Sequence, residues 1–235
     1  MAGLQLQGAG GSVVEAGAFG AKGIHSINKP HDYGALGHYR AILTTGSIAA
    51  GMAANGELVQ MRWVDATRFC VITHVAVLEF RNITTAFAVG PYNFNLIRST
   101  AWSADGGGGG AIAVGDPQLQ VRSASMGASL FSTGLRLATT AALTAGTKTF
   151  DTLPMGACFG NVGSTPAIAQ LYIPAGAPVT GYGGPGVDLL NPDTGGGEHP
   201  IVLAQNEGVS IRANVPATGV WIASFLVKWI EVPAF

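Results

Sequence analysis

Charged side chains are scarce in this sequence. Asp, Glu, Lys and Arg make up 11% of the 235 residues and apolar residues make up 48%, whereas an ordinary soluble domain is about 25% charged. With so few charges to cover a free surface, we expect part of it to be covered by other copies of the chain or by a partner. The formal net charge of −1 supports this expectation, because nearly uncharged molecules repel each other little.

Basic stripes, long apolar runs and closely spaced cysteines are also missing. Without a basic stripe we expect no nucleic-acid binding, and without a run of 18 apolar residues we expect no membrane span. Residues 1–7 do not have the pattern of a secretory signal, which predicts synthesis in a cytoplasm. The only two cysteines, Cys70 in a strand-like run and Cys158 in a Gly/Ala loop, are far apart. We interpret them as small buried hydrophobic side chains rather than as a disulfide or metal motif.

Catalytic motifs are not found either. The sequence contains no Gly-x-Ser-x-Gly elbow, no His-Glu-x-x-His and no paired carboxylates in a shared motif, so we expect no enzymatic activity. Glu198 and His199 are interpreted as a hydrogen-bonded surface turn rather than as an acid–base pair. Four potential metal ligands lie close together in sequence: His25, His31, Asp32 and His38. Because their spacing fits no common zinc pattern, we expect no metal and no other cofactor.

Short strand-like runs separated by Gly- and Pro-rich turns begin near residue 39. The candidates are residues 40–45, 57–64, 69–81, 92–96, 130–138 and 147–153, and the five glycines at 106–110 are a loop tip. Residues 117–123 follow a capping Asp116 and are expected to form one helical turn. Residues 154–197 are expected to be a long loop whose only strand is 167–173. Eight to ten strands without a long amphipathic helix predict an all-β fold, an antiparallel β-sandwich of the jelly-roll type.

Side-chain alternation assigns faces to the strongest of these strands. Residues 69–81 are apolar on both faces, which predicts a central strand. We place Cys70, Ile72, His74, Ala76, Leu78 and Phe80 on one face and Phe69, Val71, Val75 and Val77 on the other. In the last forty residues, Val209, Ile211 and Ala213 share one face of a strand, and Trp221, Ala223, Phe225, Val227 and Trp229 share one face of a second. We expect these last two strands to form a β-hairpin that closes the core.

Residues 1–38 are rich in Gly and Ala, with single apolar residues at no fixed period. Because such a segment has too little apolar surface to fold alone, we expect an extended N-terminal arm followed by one domain over residues 39–235. For residues 1–20 a disordered tail is an equal alternative. Five later side chains are expected to anchor the arm on neighbouring subunits: Ile24, Ile27, Tyr33, Leu36 and Tyr39.

Two classes of function remain. The first is a structural protein of a large symmetric assembly, which accounts for the sparse charge, the arm and the missing catalytic motif. The second is a carbohydrate-binding or hydrolytic β-sandwich, in which aromatics such as Tyr92, Trp102 or Tyr182 form a platform for a glycan. Because few carboxylates accompany those aromatics, we favour the first class.

The sequence resembles virion proteins of tailed bacteriophages. The resemblance is carried by EHPIVLAQNEGVSIR at residues 198–212, PATGVW at 216–221, VKW at 227–229, AAGMAAN at 49–55, RW at 62–63 and AALTAG at 141–146. It implies a non-enzymatic, self-associating component of the virion, most specifically a capsid decoration or cement protein that contacts itself and a major capsid protein or another virion protein. A tail or fibre component is the alternative. The resemblance carries no functional residues over to this chain.

Overall fold

The structure, a computed structural model, describes residues 5–7, 13–15, 38–49, 52–85, 87–112, 119–121, 129–133, 135–162, 186–192 and 199–233. The chain divides into two compact units, Met1–His31 and Asp32–Phe235. In the first unit, strand β1 (Gln5–Gln7) pairs antiparallel with β2 (Val13–Glu15). Most of the predicted arm lies outside the described residues, so the arm and its boundary at residue 38 stay predictions.

The second unit consists of two antiparallel sheets that pack against each other. The strands are β3 (His38–Thr44), β4 (Gly56–Trp63), β5 (Phe69–Asn82), β6 (Gly90–Ala104), β7 (Gly110–Ala111), β8 (Leu119–Val121), β9 (Leu135–Leu137), β10 (Thr147–Phe150), β11 (Gly156–Val162), β12 (Val187–Leu190), β13 (Ile201–Leu203), β14 (Glu207–Asn214) and β15 (Trp221–Val232). The seven-stranded sheet has the order β10-β6-β14-β4-β9-β7, with β11 also on β6. The six-stranded sheet has the order β12-β5-β15-β3-β8, with β13 also on β5. The predicted all-β antiparallel sandwich is therefore confirmed.

The strands pair in a nested order. Strand β3 pairs with β15, β4 with β14, β5 with β13, and β6 with β11. Strands β3 and β5 lie in the six-stranded sheet and β4 and β6 in the seven-stranded sheet, and each pairs with a later strand of its own sheet. A long antiparallel ribbon folded over on itself in this way is a jelly roll.

The last two strands do not form the hairpin that the sequence predicts. Strand β14 is paired on both sides, with β4 and β6, whereas β15 is paired with β3 and β5 in the other sheet. The connection between them crosses from sheet to sheet and hydrogen-bonds with Ile83, Thr85 and Ala88 instead of closing a two-stranded turn. The predicted faces are nevertheless correct, because all eight apolar side chains assigned to them are buried in one core.

Strand β5 is central, as predicted, but its faces are not those expected from alternation. Its register with β15 shifts twice, so that Thr73 and Leu78 have no direct partner in β15. Each such β-bulge adds one residue and moves the following side chains to the opposite face. The core therefore contains Cys70, Ile72, Val75, Val77 and Phe80, and His74 lies outside it, 2.7 Å from Asp188.

Three local predictions are also wrong. Residues 119–121 of the predicted helical turn form strand β8, and the first part of the predicted strand 130–138 is a 3-10 helix at Leu130–Thr133. Part of the predicted loop 154–197 is sheet, because it contains β11 and β12, and Cys158 lies in β11 rather than in a loop. Its predicted strand 167–173 lies outside the described residues. Both cysteines are free and buried, as expected.

Aromatic contacts join the two sheets. Phe80 of β5 lies at the centre of one group, with ring centroids 4.9 to 5.4 Å from those of Tyr92, Phe94, Phe87 and Trp221. Because Tyr92 and Phe94 belong to β6 in the opposite sheet, these edge-to-face and tilted contacts span the sandwich. A second group connects Trp63 to Trp229 through Phe131.

Replacing one of these rings should be far more costly than replacing an exposed ring nearby. Phe94 is fully buried, while Phe159, whose strand pairs with the same strand β6, is 80% exposed. We expect Phe94→Ala to lower the free energy of unfolding by about 3–5 kcal/mol and Phe159→Ala to change it by less than about 0.5 kcal/mol. Urea unfolding of both variants measures the difference, and equal effects would contradict this description of the core.

Candidate interaction surface and buried polar clusters

Large exposed hydrophobic side chains are concentrated at one edge of the seven-stranded sheet. Four of the six in the described residues belong to β11 or to the segments next to it: Val89, Leu153, Met155 and Phe159. Leu153 and Phe159 are 75% and 80% exposed. Val89 precedes Gly90, which pairs with Val162 at the end of β11. We call these four residues together with β11 the β11 edge.

The β11 edge lacks the features that usually protect a sheet edge. Within the described residues β11 has one hydrogen-bonded neighbour, β6. Its sequence, GACFGNV, contains no charged residue and no proline, whereas natural edge strands usually carry such residues to prevent pairing with another chain. β12 lies against the beginning of the strand, where a Cβ at Gly156 would meet the carbonyl oxygen of Leu189 at 1.7 Å. An unprotected edge with exposed apolar side chains is typical of an interaction surface.

A buried ion pair lies on the outer face of the same sheet. Lys148 of β10 and Glu57 of β4 have side-chain exposures of 0% and 4%, and the lysine Nζ is 2.5 Å from Glu57 Oε2. The same Nζ lies 3.3 Å from Ser210 Oγ and 3.8 Å from the centroid of the Trp102 ring. Burial lowers the pKa of Lys148, and its hydrogen bond to Glu57 opposes this shift.

Gln60 completes this group, which we call the Lys148 cluster (Glu57, Gln60, Lys148 and Trp102). Its side-chain amide Nε2 donates to Glu57 Oε2 at 3.0 Å and to the carbonyl oxygen of Thr144 at 2.7 Å. The backbone N–H of Gly106 donates to Gln60 Oε1 at 3.1 Å. A Cβ at Gly106 would meet the carbonyl oxygen of Thr144 at 1.8 Å, so the absence of a side chain lets the backbone of residue 106 approach Thr144 closely. From the sequence alone this glycine is interpreted only as part of a loop tip.

A second buried carboxylate, Glu231, holds the 3-10 helix against the end of β15. Its Oε1 accepts hydrogen bonds from Ser129 Oγ at 2.7 Å, from the Leu130 N–H at 3.0 Å and from Trp229 Nε1 at 3.3 Å. Burial raises the pKa of Glu231. Burial also raises the pKa of Tyr39 to about 12, with a further contribution from the Glu231 charge.

Neither buried cluster was identified from the sequence. Glu57 and Lys148 are 91 residues apart, and no local pattern connects them. A signal for Glu231 did exist, because a carboxylate among the apolar residues of a predicted core strand must have partners when it is buried.

The predicted anchors of the arm fall mostly outside the described residues: Ile24, Ile27, Tyr33 and Leu36. The fifth, Tyr39, lies in β3, is 2% exposed and stacks on Trp229 with ring centroids 5.6 Å apart. Its side chain therefore packs in the core of its own chain, not on a neighbour. The role of the other four in binding a partner stays a prediction.

Of the potential metal ligands in the arm, only His38 is described, and it pairs with Ile230 across β3 and β15. The described part of the chain contains no group of three or more His, Cys, Asp or Glu that could hold a metal ion. Glu198 lies outside the described residues, so the predicted Glu198–His199 turn is untested.

Two of the three aromatics considered for a glycan platform are buried. Tyr92 is 2% exposed and Trp102 is fully buried, while Tyr182 lies outside the described residues. Among the described residues the exposed large aromatic is Phe159, which the sequence analysis did not single out.

The fold and these surfaces define, in the described residues, a jelly-roll β-sandwich with an apolar and exposed sheet edge at β11. No family model, curated protein or solved structure matches the chain. In the part of the chain that the structure describes, no helix is long and apolar enough to span a bilayer.

Removing the charge of Glu231 should make stability less dependent on pH. Because the pKa of Glu231 is raised in the folded state, that state binds more protons than the unfolded state at pH values above the ordinary glutamate pKa of about 4.3. The contribution of Glu231 to stability is therefore full below that pH and falls as the pH rises through the folded pKa. Glu231→Gln keeps an oxygen acceptor for all three donors.

We therefore expect Glu231→Gln to gain stability relative to the unmodified chain as the pH is raised from about 4 to about 7. Urea unfolding at several pH values measures this difference. Glu79→Gln, at a half-exposed position on β5, is the control for a general effect of removing one carboxylate. A difference that is constant with pH would contradict the assignment of the shift to Glu231.

Proposed function

We propose that this protein is a self-associating structural component of a bacteriophage particle, most specifically a capsid decoration or cement protein. The observation that carries the proposal of self-association is the β11 edge, where Leu153 and Phe159 are exposed beside a strand with no protecting charge. The resemblance to virion proteins supplies the phage particle and the decoration role.

The fold is compatible with this role but does not prove it. Jelly rolls occur in viral capsid proteins and also in lectins, and a fold by itself does not specify a function. The low proportion of charged residues adds support, because part of the surface would be covered in an assembly. A tail or fibre component of the same kind of particle is the alternative location.

A non-enzymatic role is consistent with the buried clusters. The side chains of Lys148 and Glu57 are closed to solvent, and Glu231 is 1% exposed. A diffusing substrate could not reach these groups without local opening of the fold. Their contacts with backbone groups and aromatic rings indicate that they connect strands of the sandwich.

A glycan-binding role is favoured by one specific observation. Asn214 Nδ2 donates to Asn55 Oδ1 and Asn93 Oδ1 on the outer face of the seven-stranded sheet, and the exposed Phe159 pairs with Asn93 across β11 and β6. A row of amides beside an aromatic ring could bind the hydroxyl groups and the apolar face of a sugar. This is the second candidate function.

Polar substitutions on the β11 edge should prevent self-association without unfolding the chain. We expect the purified protein to sediment as an oligomer at micromolar concentration and the Leu153→Ser/Phe159→Ser variant to sediment as a monomer. The control is Ile42→Ser/Ile83→Ser, which changes the two exposed hydrophobics outside this edge and should leave the oligomer intact. Circular dichroism verifies that each variant is folded.

The same measurements separate the two candidates. A chain that is a monomer before any substitution would contradict self-association through this edge. If that monomer were retained on oligosaccharide-coated beads through Asn93, the glycan role would be favoured instead. Cryo-electron microscopy of purified phage particles then tests whether the protein lies on the head surface, and its absence from the particles would refute the virion role.

The predicted arm should contribute to attachment and not to folding. Because Met1–His31 forms a unit separate from the sandwich, we expect deletion of residues 1–23 to leave the thermal midpoint of the sandwich nearly unchanged. Occupancy on phage particles should fall, since an arm that becomes ordered on binding has to offset about 1–2 kcal/mol of backbone entropy per residue with contacts to its neighbours. A truncated chain that binds as well as the full chain would contradict the arm prediction.

A further inference from the structure

The Lys148 cluster contains an amine, an amide and a carboxyl group in one dry site. One oxygen, Glu57 Oε2, contacts both Lys148 Nζ at 2.5 Å and Gln60 Nε2 at 3.0 Å. A single carboxylate oxygen therefore contacts both a potential nucleophile and the amide group of Gln60. We propose that Lys148 Nζ and Gln60 Cδ become joined by an intramolecular amide bond, with Glu57 as the catalytic acid and base.

Hydrogen bonds at both ends fix the orientation of the Gln60 amide. Its Oε1 accepts the backbone N–H of Gly106 at 3.1 Å, and its Nε2 donates to the Thr144 oxygen at 2.7 Å. A backbone donor at the carbonyl oxygen stabilises the negative charge that develops there when an amine attacks. The amide nitrogen already faces Glu57, the group that would protonate it as it leaves.

Burial lowers the pKa of Lys148, which favours the uncharged amine that the attack requires. The side chain of Lys148 has no exposure and Gln60 is fully buried. The Glu57 carboxylate and the Trp102 and Phe150 rings, with centroids 3.8 and 5.0 Å from Nζ, act in the opposite direction because they stabilise the ammonium. Lys148 therefore has to give its proton to Glu57 before it can attack. Exclusion of water also protects the product from hydrolysis.

The reaction needs no other reactant. Glu57 takes a proton from the ammonium, and the neutral Nζ forms a bond to Cδ with the negative charge on Oε1 facing Gly106. Glu57 then gives its proton to Nε2, the Cδ–Nε2 bond breaks, and ammonia leaves. The new amide nitrogen returns one proton to Glu57, which ends as a neutral carboxyl group. One lysine charge and one glutamate charge are lost together, so the total charge does not change.

The bond would connect β4 to β10 across the outer face of the seven-stranded sheet. Strands β6 and β14 lie between these two in the sheet order, so all four would be held by one covalent bridge. The cross-link would also constrain the unfolded chain, because Gln60 and Lys148 would close a long loop. This inference does not depend on the proposed function.

Intact-mass spectrometry of the denatured protein tests the proposal. The expected mass is lower than the sequence mass by one ammonia, and proteolytic mapping should find the peptide that contains Gln60 joined to the one that contains Lys148. A protein with the full sequence mass would overturn the proposal, as would an ammonia loss that maps to another residue. Because it uses the protein without substitutions, this measurement decides whether the cross-link forms even if variants fold poorly.

Variants assign the roles of the three side chains. Lys148→Arg removes the nucleophile and Glu57→Gln removes the acid and base, and each should restore the full sequence mass expected for that variant. The control Lys228→Arg, on β15 of the other sheet, should retain the loss of one ammonia. Retention of the cross-link in Lys148→Arg would show that another amine reacts, and its retention in Glu57→Gln would remove Glu57 from the mechanism; either result overturns the proposal as stated.

Discussion

The architecture depends on the position of the last two strands at the centres of opposite sheets. β14 supplies hydrogen bonds to β4 and β6, and β15 supplies them to β3 and β5. Four strands from the first half of the chain therefore have no complete sheet until the last thirty or so residues are in place. To pair in this way the chain has to close long loops, which costs conformational entropy before the strand contacts form. We therefore expect folding to be slow compared with that of a helical protein of the same length.

The seven-stranded sheet is packed on both faces, which is unusual for an antiparallel sheet with one outer side. Its inner face carries the aromatic core, and part of its outer face is covered by Trp102 and the Lys148 cluster. Gly208 makes this possible, because a Cβ there would meet the Trp102 ring at 2.6 Å. Two of the few charged side chains, Lys148 and Glu57, are thus buried inside the structure. The β11 edge, in contrast, is apolar and exposed.

Under the proposed function, stability and interaction would belong to different parts of one sheet. The centre of the sheet has buried polar groups with several partners each, for which removal of one partner is costly. The β11 edge has exposed side chains whose replacement should affect association more than folding. A protein that functions by covering a larger particle would need both properties, a rigid subunit and an edge that another chain can contact.

The sequence by itself placed strands β3 to β6, β10, β14 and β15 and determined which face of β14 and β15 is apolar, because side-chain alternation is a local property. It also predicted the all-β sandwich from short runs between Gly- and Pro-rich turns. Only the tertiary structure decided the partners. It separated β14 from β15, and it introduced the bulges at Thr73 and Leu78 that reversed the expected faces of β5 between them, so that Val75 and Val77 joined Cys70, Ile72 and Phe80 in the core. It also used β11 to complete a sheet although its sequence is typical of a loop. It also brought Lys148 to Glu57. The physical reason is that alternation records only whether a side chain meets the core, while hydrogen-bond pairing and buried charge pairs depend on chain segments that are distant in sequence.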